Sequence, residues 1–248
     1  MFKVQPIVLI SLLLIACSTE TTESDKVATN AIWADFQAIS DGYRTRLVAE
    51  LNVDGPYGNN VKLTDGDSLY ATANGETKEL VEDIDFFDVD YQAYFYQITN
   101  STTLSVIFDR QQPKQRMVST VALPEPFTVF SPQTRQAFKS DEDTYLSWSG
   151  LASNKTIQLD YQLKCAAKEG GQYNHSGLVD TIVDDGNHRL FFSQIDALKN
   201  SSIDTNRTCE LDLMFTRSNN GIIDSKYASG SRIQAHQVRK IEALEIYF

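Results

Sequence analysis

Ile157-Gln158-Leu159-Asp160-Tyr161-Gln162-Leu163-Lys164-Cys165 decides the fold class. Apolar and polar side chains alternate at every step, and a period of two belongs to a strand with one buried and one wet face. The rhythm returns in Cys209-Glu210-Leu211-Asp212-Leu213-Met214-Phe215. Earlier in the chain, Tyr43, Thr45, Leu47, Ala49, Leu51 and Val53 alternate with Arg44, Arg46, Val48, Glu50 and Asn52. Leu69, Ala71 and Ala73 lead into Asn74-Gly75 and then Glu76 to Leu80. Asn-Gly between strand-like runs predicts a hairpin, because both central residues of a type I′ turn need φ > 0. Tyr94 to Ile98 and Leu104, Val106 and Phe108 continue the pattern. Helical periodicity is nearly absent, and residues 193–200 predict at most one short helix or 3₁₀ turn. The chain reads as all-β.

Leu123-Pro124-Glu125-Pro126 divides it. Two prolines two apart stiffen the backbone and cannot donate to a ladder. Each side then has the size and strand texture of a β-sandwich, one over residues 31–124 and one over 125–248. Trp148 falls on a strand of the second, and residues 231–248 read as one or two closing strands.

Three cysteines are present, Cys17, Cys165 and Cys209. Cys165 and Cys209 both sit on the apolar parity of an alternating stretch, which suits a core disulfide. Closing that loop stabilises the fold by about 4 kcal/mol in the chain-entropy view. Two buried free thiols are the alternative; a redox-active pair is disfavoured because Cys-x-x-Cys is absent.

The amino terminus carries a different signal. Lys3 precedes an apolar run from Ile7 to Ala16, interrupted only by Ser11. A basic start and a short apolar core form the pattern of a secretory signal peptide. The run is too short to span a bilayer, which takes roughly 20 apolar residues. Leu14-Ile15-Ala16-Cys17 resembles the lipobox of bacterial lipoprotein precursors, although Lys3 is the only basic residue before it. The resemblance implies cleavage after Ala16, a diacylglycerol thioether on Cys17, and acylation (palmitate-type) of the new amino terminus. Several acyl chains hold a protein firmly, at about 0.8 kcal/mol per buried CH₂. Ser18 stands where aspartate resembles an inner-membrane retention signal in Gram-negative lipoproteins, which implies the outer membrane. Residues 17–30 contain almost nothing to bury and read as the lipidated cysteine and a flexible linker.

The second half resembles an immunoglobulin-like sandwich in strand rhythm and in its single disulfide. Trp148 precedes the first cysteine of the pair, unlike antibody domains, so the resemblance implies Ig-like architecture and not antibody topology. The whole chain is similar to uncharacterised proteobacterial envelope lipoproteins. The shared features are Gly66-Asp67-Ser68-Leu69, Leu123-Pro124-x-Pro126-Phe127 and the late Cys209…Thr216-Arg217 strand. That resemblance implies no activity.

The formal charge is −11. An acidic chain has little reason to bind nucleic acid, which recruits basic patches, or anionic lipid by charge. The expected membrane contact is therefore the lipid. Glu82, Asp83, Asp85, Asp88 and Asp90 form the best candidate for calcium, which takes six to eight oxygen ligands; Asp83, Asp85, Asp88 and Asp90 are its core. Asp65 with Asp67, Asp141 with Asp143, and Asp184-Asp185-Gly186 are poorer versions, and none has EF-hand spacing. His175, His188 and His236 lack a zinc-ligand spacing. Gly-x-Ser-x-Gly is absent. No cofactor is implied. The rings in Asp85-Phe86-Phe87-Asp88 and Tyr91-Gln92-Ala93-Tyr94-Phe95-Tyr96 are read as mainly core, with a binding platform as the alternative. Five Asn-x-Ser/Thr sites, at Asn100, Asn154, Asn174, Asn200 and Asn206, are read as turns, given the lipobox. Leu244-Glu245-Ile246-Tyr247-Phe248 resembles the last strand of outer-membrane barrels, but Lys240 and Glu242 interrupt the pattern.

The expectation is a non-catalytic binding or structural module at the cell envelope, lipid-anchored and facing periplasm or surface, with an envelope protein or polysaccharide as partner. The alternatives are an envelope hydrolase, or a calcium-stabilised adhesion-type module with a loop-borne site.

Overall fold

A computed structural model describes residues 21–64, 66–85, 88–96, 102–151 and 155–248. The signal peptide and Cys17 lie outside the described residues. In the first half the strands are β1 (Thr21–Glu23), β2 (Ile32–Ser40), β3 (Arg44–Val53), β4 (Asn60–Lys62), β5 (Ser68–Ala73), β6 (Glu76–Glu79), β7 (Val81–Asp85), β8 (Asp88–Tyr96), β9 (Thr103–Gln111) and β10 (Lys114–Ala122). In the second they are β11 (Val129–Ser131), β12 (Ala137–Lys139), β13 (Asp143–Trp148), β14 (Thr156–Ala166), β15 (Gln172–Val183), β16 (Asn187–Phe191), β17 (Cys209–Asn220) and β18 (Arg232–Tyr247). Short 3₁₀ turns at Phe192–Gln194 and Asp196–Lys199 occupy the expected helical spot.

Two sandwiches result, each with its own apolar core. In the first, β18–β2–β3–β8–β7 faces β10–β9–β5–β6. Phe36, Leu47, Phe95 and Phe108 are among the fully buried side chains between them. Asn74 (φ 49) and Gly75 (φ 80) form the β5–β6 turn. In the second sandwich, β11–β13–β16 faces β15–β14–β17–β18. Lettered in chain order, that is A-B-E against C′-C-F-G, an immunoglobulin-type arrangement. The short β12 runs parallel to the end of β18.

Strand β18 belongs to both sandwiches. Residues 232–237 pair with β2 in parallel along one edge, and residues 234–246 pair with β17 along the other, so 234–237 have both neighbours. Ile233 and Ala235 enter the first core, whereas Ile241, Leu244 and Ile246 enter the second. The inward parity is the same through Ile241, so both cores lie on one side of a single continuous sheet. Ile223 and Tyr227 also pack on the first core, well beyond the proline boundary at 124.

The chain between the sandwiches is held tightly. The Phe127 ring faces two guanidinium groups, Arg217 at 4.5 Å and Arg239 at 5.2 Å. Arg217 donates to the carbonyls of Glu125 and Pro126, and Arg239 donates to that of Phe127. Arg239 also reaches the Ser40 carbonyl in the β2–β3 turn of the first sandwich.

The flexible linker expected over residues 17–30 is corrected for residues 21–30. β1 pairs with β4, and Ser24, Val27 and Thr29 are buried. The cause is Arg110, a fully buried guanidinium that donates to the carbonyls of Ser24 and Val27 and to Thr29 Oγ1 at 2.7 Å. Asp67 sits beside it at 3.4 Å and also accepts the Gln111 amide. A count of apolar side chains misses such a segment because most of what the fold binds in it is polar: two carbonyls and the side chains of Ser24, Asp25 and Thr29.

Candidate functional site

Strand β8 places Tyr91, Ala93 and Phe95 in the core and turns the alternate residues outward. Tyr91 is structural: its hydroxyl donates to the Val61 carbonyl and accepts the Leu63 amide. Burial pushes its phenol up to about 12. On the other face, Tyr96 is 55% exposed and meets Tyr43, 69% exposed, edge-on with ring centres 6.0 Å apart. Arg44 lies 5.5 Å over the Tyr94 ring, and the Lys78 ammonium 5.8 Å over Tyr96. The aromatic reading therefore splits by parity: Tyr91 and Phe95 are core, and Tyr94 and Tyr96 form a surface. Phe86 and Phe87 lie outside the described residues.

The charges around these rings are paired within the chain. Arg44 meets Asp41 at 3.4 Å, Arg46 meets Asp90 at 3.8 Å, and Lys78 meets Glu76 at 3.1 Å. The site thus offers outward tyrosine rings, Tyr94 and Tyr96 each with a cation over one face, framed by charges paired within the chain. Such a surface can stack on the C–H face of a sugar or receive an apolar side chain of a partner.

Asp83 and Asp90 stand opposite each other on the β7–β8 hairpin, and Asp85 opposes Asp88 at its tip. Continuing the same rung, Asp90 opposes Glu50, Glu50 opposes Asp35, and Asp35 opposes Arg232. Four strands thus bring four carboxylates into one row, a juxtaposition no local spacing reveals. Their partners are protein groups: Asp83 accepts from Gln92, and Asp35 accepts from Gln37 and twice from Arg232. Among the described residues, no three His, Cys, Asp or Glu side chains gather as a metal site. The side chains of Asp85 and Asp88 lie outside the described residues.

The histidines stay apart. His175 hydrogen-bonds the Tyr161 hydroxyl at 2.9 Å and stacks on its ring. His188 opposes Leu146 in the β13–β16 ladder. His236 Nδ1 hydrogen-bonds Ser218 Oγ at 2.8 Å on the open sheet face, and burial lowers its pKa.

Cys165 and Cys209 form a disulfide with Cα atoms 4.3 Å apart. It joins neighbouring strands of one sheet, β14 and β17, whereas antibody domains bridge their two sheets. Sequence reading missed Arg110 and Arg217, the two buried arginines that hold the termini of each sandwich's framework. Their only local signal is an arginine at the end of an alternating apolar strand, Phe108-Asp109-Arg110 and Phe215-Thr216-Arg217.

No family model matches the chain, and no curated protein matches it. Solved structures similar to it include a two-domain fibronectin type III segment of chicken tenascin, at 9% identity and TM-score 0.22, covering 84% of this chain and 98% of that one. Fibronectin(III)-like modules of Clostridium thermocellum CbhA match at 9% identity and TM-score 0.20, over 90% and 93%. A three-Ig segment of titin, domains I67–I69, matches at 7% identity and TM-score 0.23, over 88% and 64%. The fold assignment rests on the strand order given above.

Proposed function

We propose that this chain is an envelope lipoprotein, anchored through Cys17 in the outer membrane, that acts as a non-catalytic binding or structural module. The observation that carries the reading is the way residues 21–31 are built into the first sandwich. Only residues 18–20 then separate the lipid from folded protein, so the first sandwich rests near the bilayer. The N-terminal segment enters beside the start of β18, and β18 runs the length of both sandwiches. A strand of its length extends about 50 Å, so the second sandwich stands well away from the membrane. The fixed junction at Phe127 makes the pair a stiff spacer with the Tyr43–Tyr96 surface at its waist. An envelope polysaccharide or protein is the fitting partner for those rings.

Replacement of Cys17 by serine tests the anchor. It should block signal cleavage and release the protein to the soluble fraction; continued membrane retention overturns the anchor. Dyes placed by Tyr57→Cys and Tyr247→Cys test the orientation in bilayers that carry a lipid-borne quencher. Strong quenching at 57 and weak quenching at 247 is expected, and equal quenching overturns the orientation.

A further inference from the structure

The end of the second sandwich remote from the first holds a cavity of about 580 Å³. Its wall is formed by the end of β14, the starts of β15 and β17, and the late part of β18. The Cys165–Cys209 disulfide lies in that wall, with Arg135, Lys164 and Arg207 facing Glu210 and Glu245 around the opening.

Two independent observations single out this cavity. The first is charge. Among the described residues every arginine engages a carboxylate or carbonyl through its guanidinium except Arg135 and Arg207. Both line this one cavity, in a chain where acids outnumber bases 33 to 22. With carboxylates so abundant elsewhere, a lining of two unpaired arginines and a lysine against two glutamates gives this cavity a local excess of positive side chains. The second is backbone. Among the described residues, four non-glycine positions have positive φ: Asp54, Asn74, Arg135 and Ala243. Asp and Asn tolerate that region through local hydrogen bonds, but Arg and Ala do not. Arg135 (φ 63) and Ala243 (φ 58) both line the cavity. Such backbone strain gathers at binding sites. The Arg135 amide donates to the Glu242 carbonyl and the Ala243 amide to Asp212, which hold both in place.

We propose that this cavity binds a phosphate-bearing sugar. Guanidinium groups match phosphate oxygens in paired hydrogen bonds, and Lys164 adds a point charge. Glu210 and Glu245 accept hydroxyl hydrogens, which a sugar supplies and a bare phosphate does not. The volume suits a small ligand. No aromatic ring lines the cavity, so a nucleobase finds no stacking partner there, and no large aliphatic side chain lines it for a lipid tail. The site stands whether or not Cys17 is lipidated.

The test is titration calorimetry on the full-length protein in neutral detergent, with glucose 6-phosphate, glucose, inorganic phosphate and phosphatidylglycerol vesicles as separate ligands. Glucose 6-phosphate should bind at least tenfold tighter than glucose or inorganic phosphate, and the affinity should fall with added salt. Arg135→Gln and Arg207→Gln should each weaken it at least tenfold while the melting temperature stays put, since both side chains are exposed. Absence of binding, or binding unchanged in both variants, overturns the site. Equal affinity for inorganic phosphate overturns the sugar, and tighter capture by the vesicles assigns the cations to a lipid surface instead.

Discussion

Arg217 and Asp184 form a buried, doubly hydrogen-bonded ion pair, with Nη2 2.8 Å from Oδ1 and Nε on Oδ2. Trp148 Nε1 donates to the same Oδ1 at 2.7 Å. The remaining donors of Arg217 hold the carbonyls of Glu125, Pro126 and Ser149. One guanidinium therefore ties a core loop, a core tryptophan and the inter-sandwich segment together. Arg217→Met strands a buried carboxylate and three carbonyls, and a broken buried pair costs about 3–5 kcal/mol. Urea unfolding should show that loss, and limited proteolysis should cut residues 123–127 faster. A loss under about 1 kcal/mol with unchanged cleavage would mean the segment is held by other contacts.

Arg110 plays the corresponding part in the first sandwich. Arg110→Met should cost a similar amount, about 3–5 kcal/mol, because Asp67 is left buried without its cation. The distinctive effect is local. Amides of residues 21–31 should lose hydrogen-exchange protection while β3 and β9 keep theirs. Protection retained across 21–31 would show that the β1–β4 pairing suffices alone.

The long strands were legible because most of them alternate, but the rings of β8, read as mainly core, split between core and surface by the same parity. The disulfide was legible for the same reason: Cys165 and Cys209 share the inward parity of Leu163 and Leu211. What the sequence hides is long-range. Arg110 meets Asp67 across 43 residues and Arg217 meets Asp184 across 33. The inward positions of β18 turn polar at Gln237 and Arg239, between Ala235 of the first core and Ile241 of the second, but that local pattern does not reveal that residues 234–237 pair with β2 on one edge and β17 on the other. The row of Asp35, Glu50, Asp90 and Asp83 likewise exists only once four strands are in register.

The disulfide predicts an uneven response to reduction. It closes a loop across 44 residues, worth about 4 kcal/mol. The two tryptophans report the two sandwiches separately, Trp33 on β2 and Trp148 on β13. In Trp33→Phe and Trp148→Phe single-tryptophan variants, reductant should lower the urea midpoint read by Trp148 more than that read by Trp33. Identical shifts would mean that the shared β18 makes the two cores one cooperative unit.

His236 gives the pH dependence a definite sign. Burial holds its folded pKa below the ordinary 6.5, outweighing the nearby Asp35, which acts the other way. The unfolded chain then takes up a proton in a range where the folded chain does not. Stability is therefore unaffected by this group above pH 6.5 and declines as pH falls below it. Ser218 hydrogen-bonds the ring, the charges that act on it are Asp35 and Arg232, and those two are already bonded to each other. Asp41 and Asp224 have pKa values lowered from 3.8, so their contribution is lost only at more acid pH. Between pH 7.5 and 5, His236→Gln should lose less stability than the natural chain, because glutamine can keep a hydrogen bond to Ser218 without titrating. Urea midpoints at the two pH values measure this, and a larger loss in the variant would reverse the assigned sign.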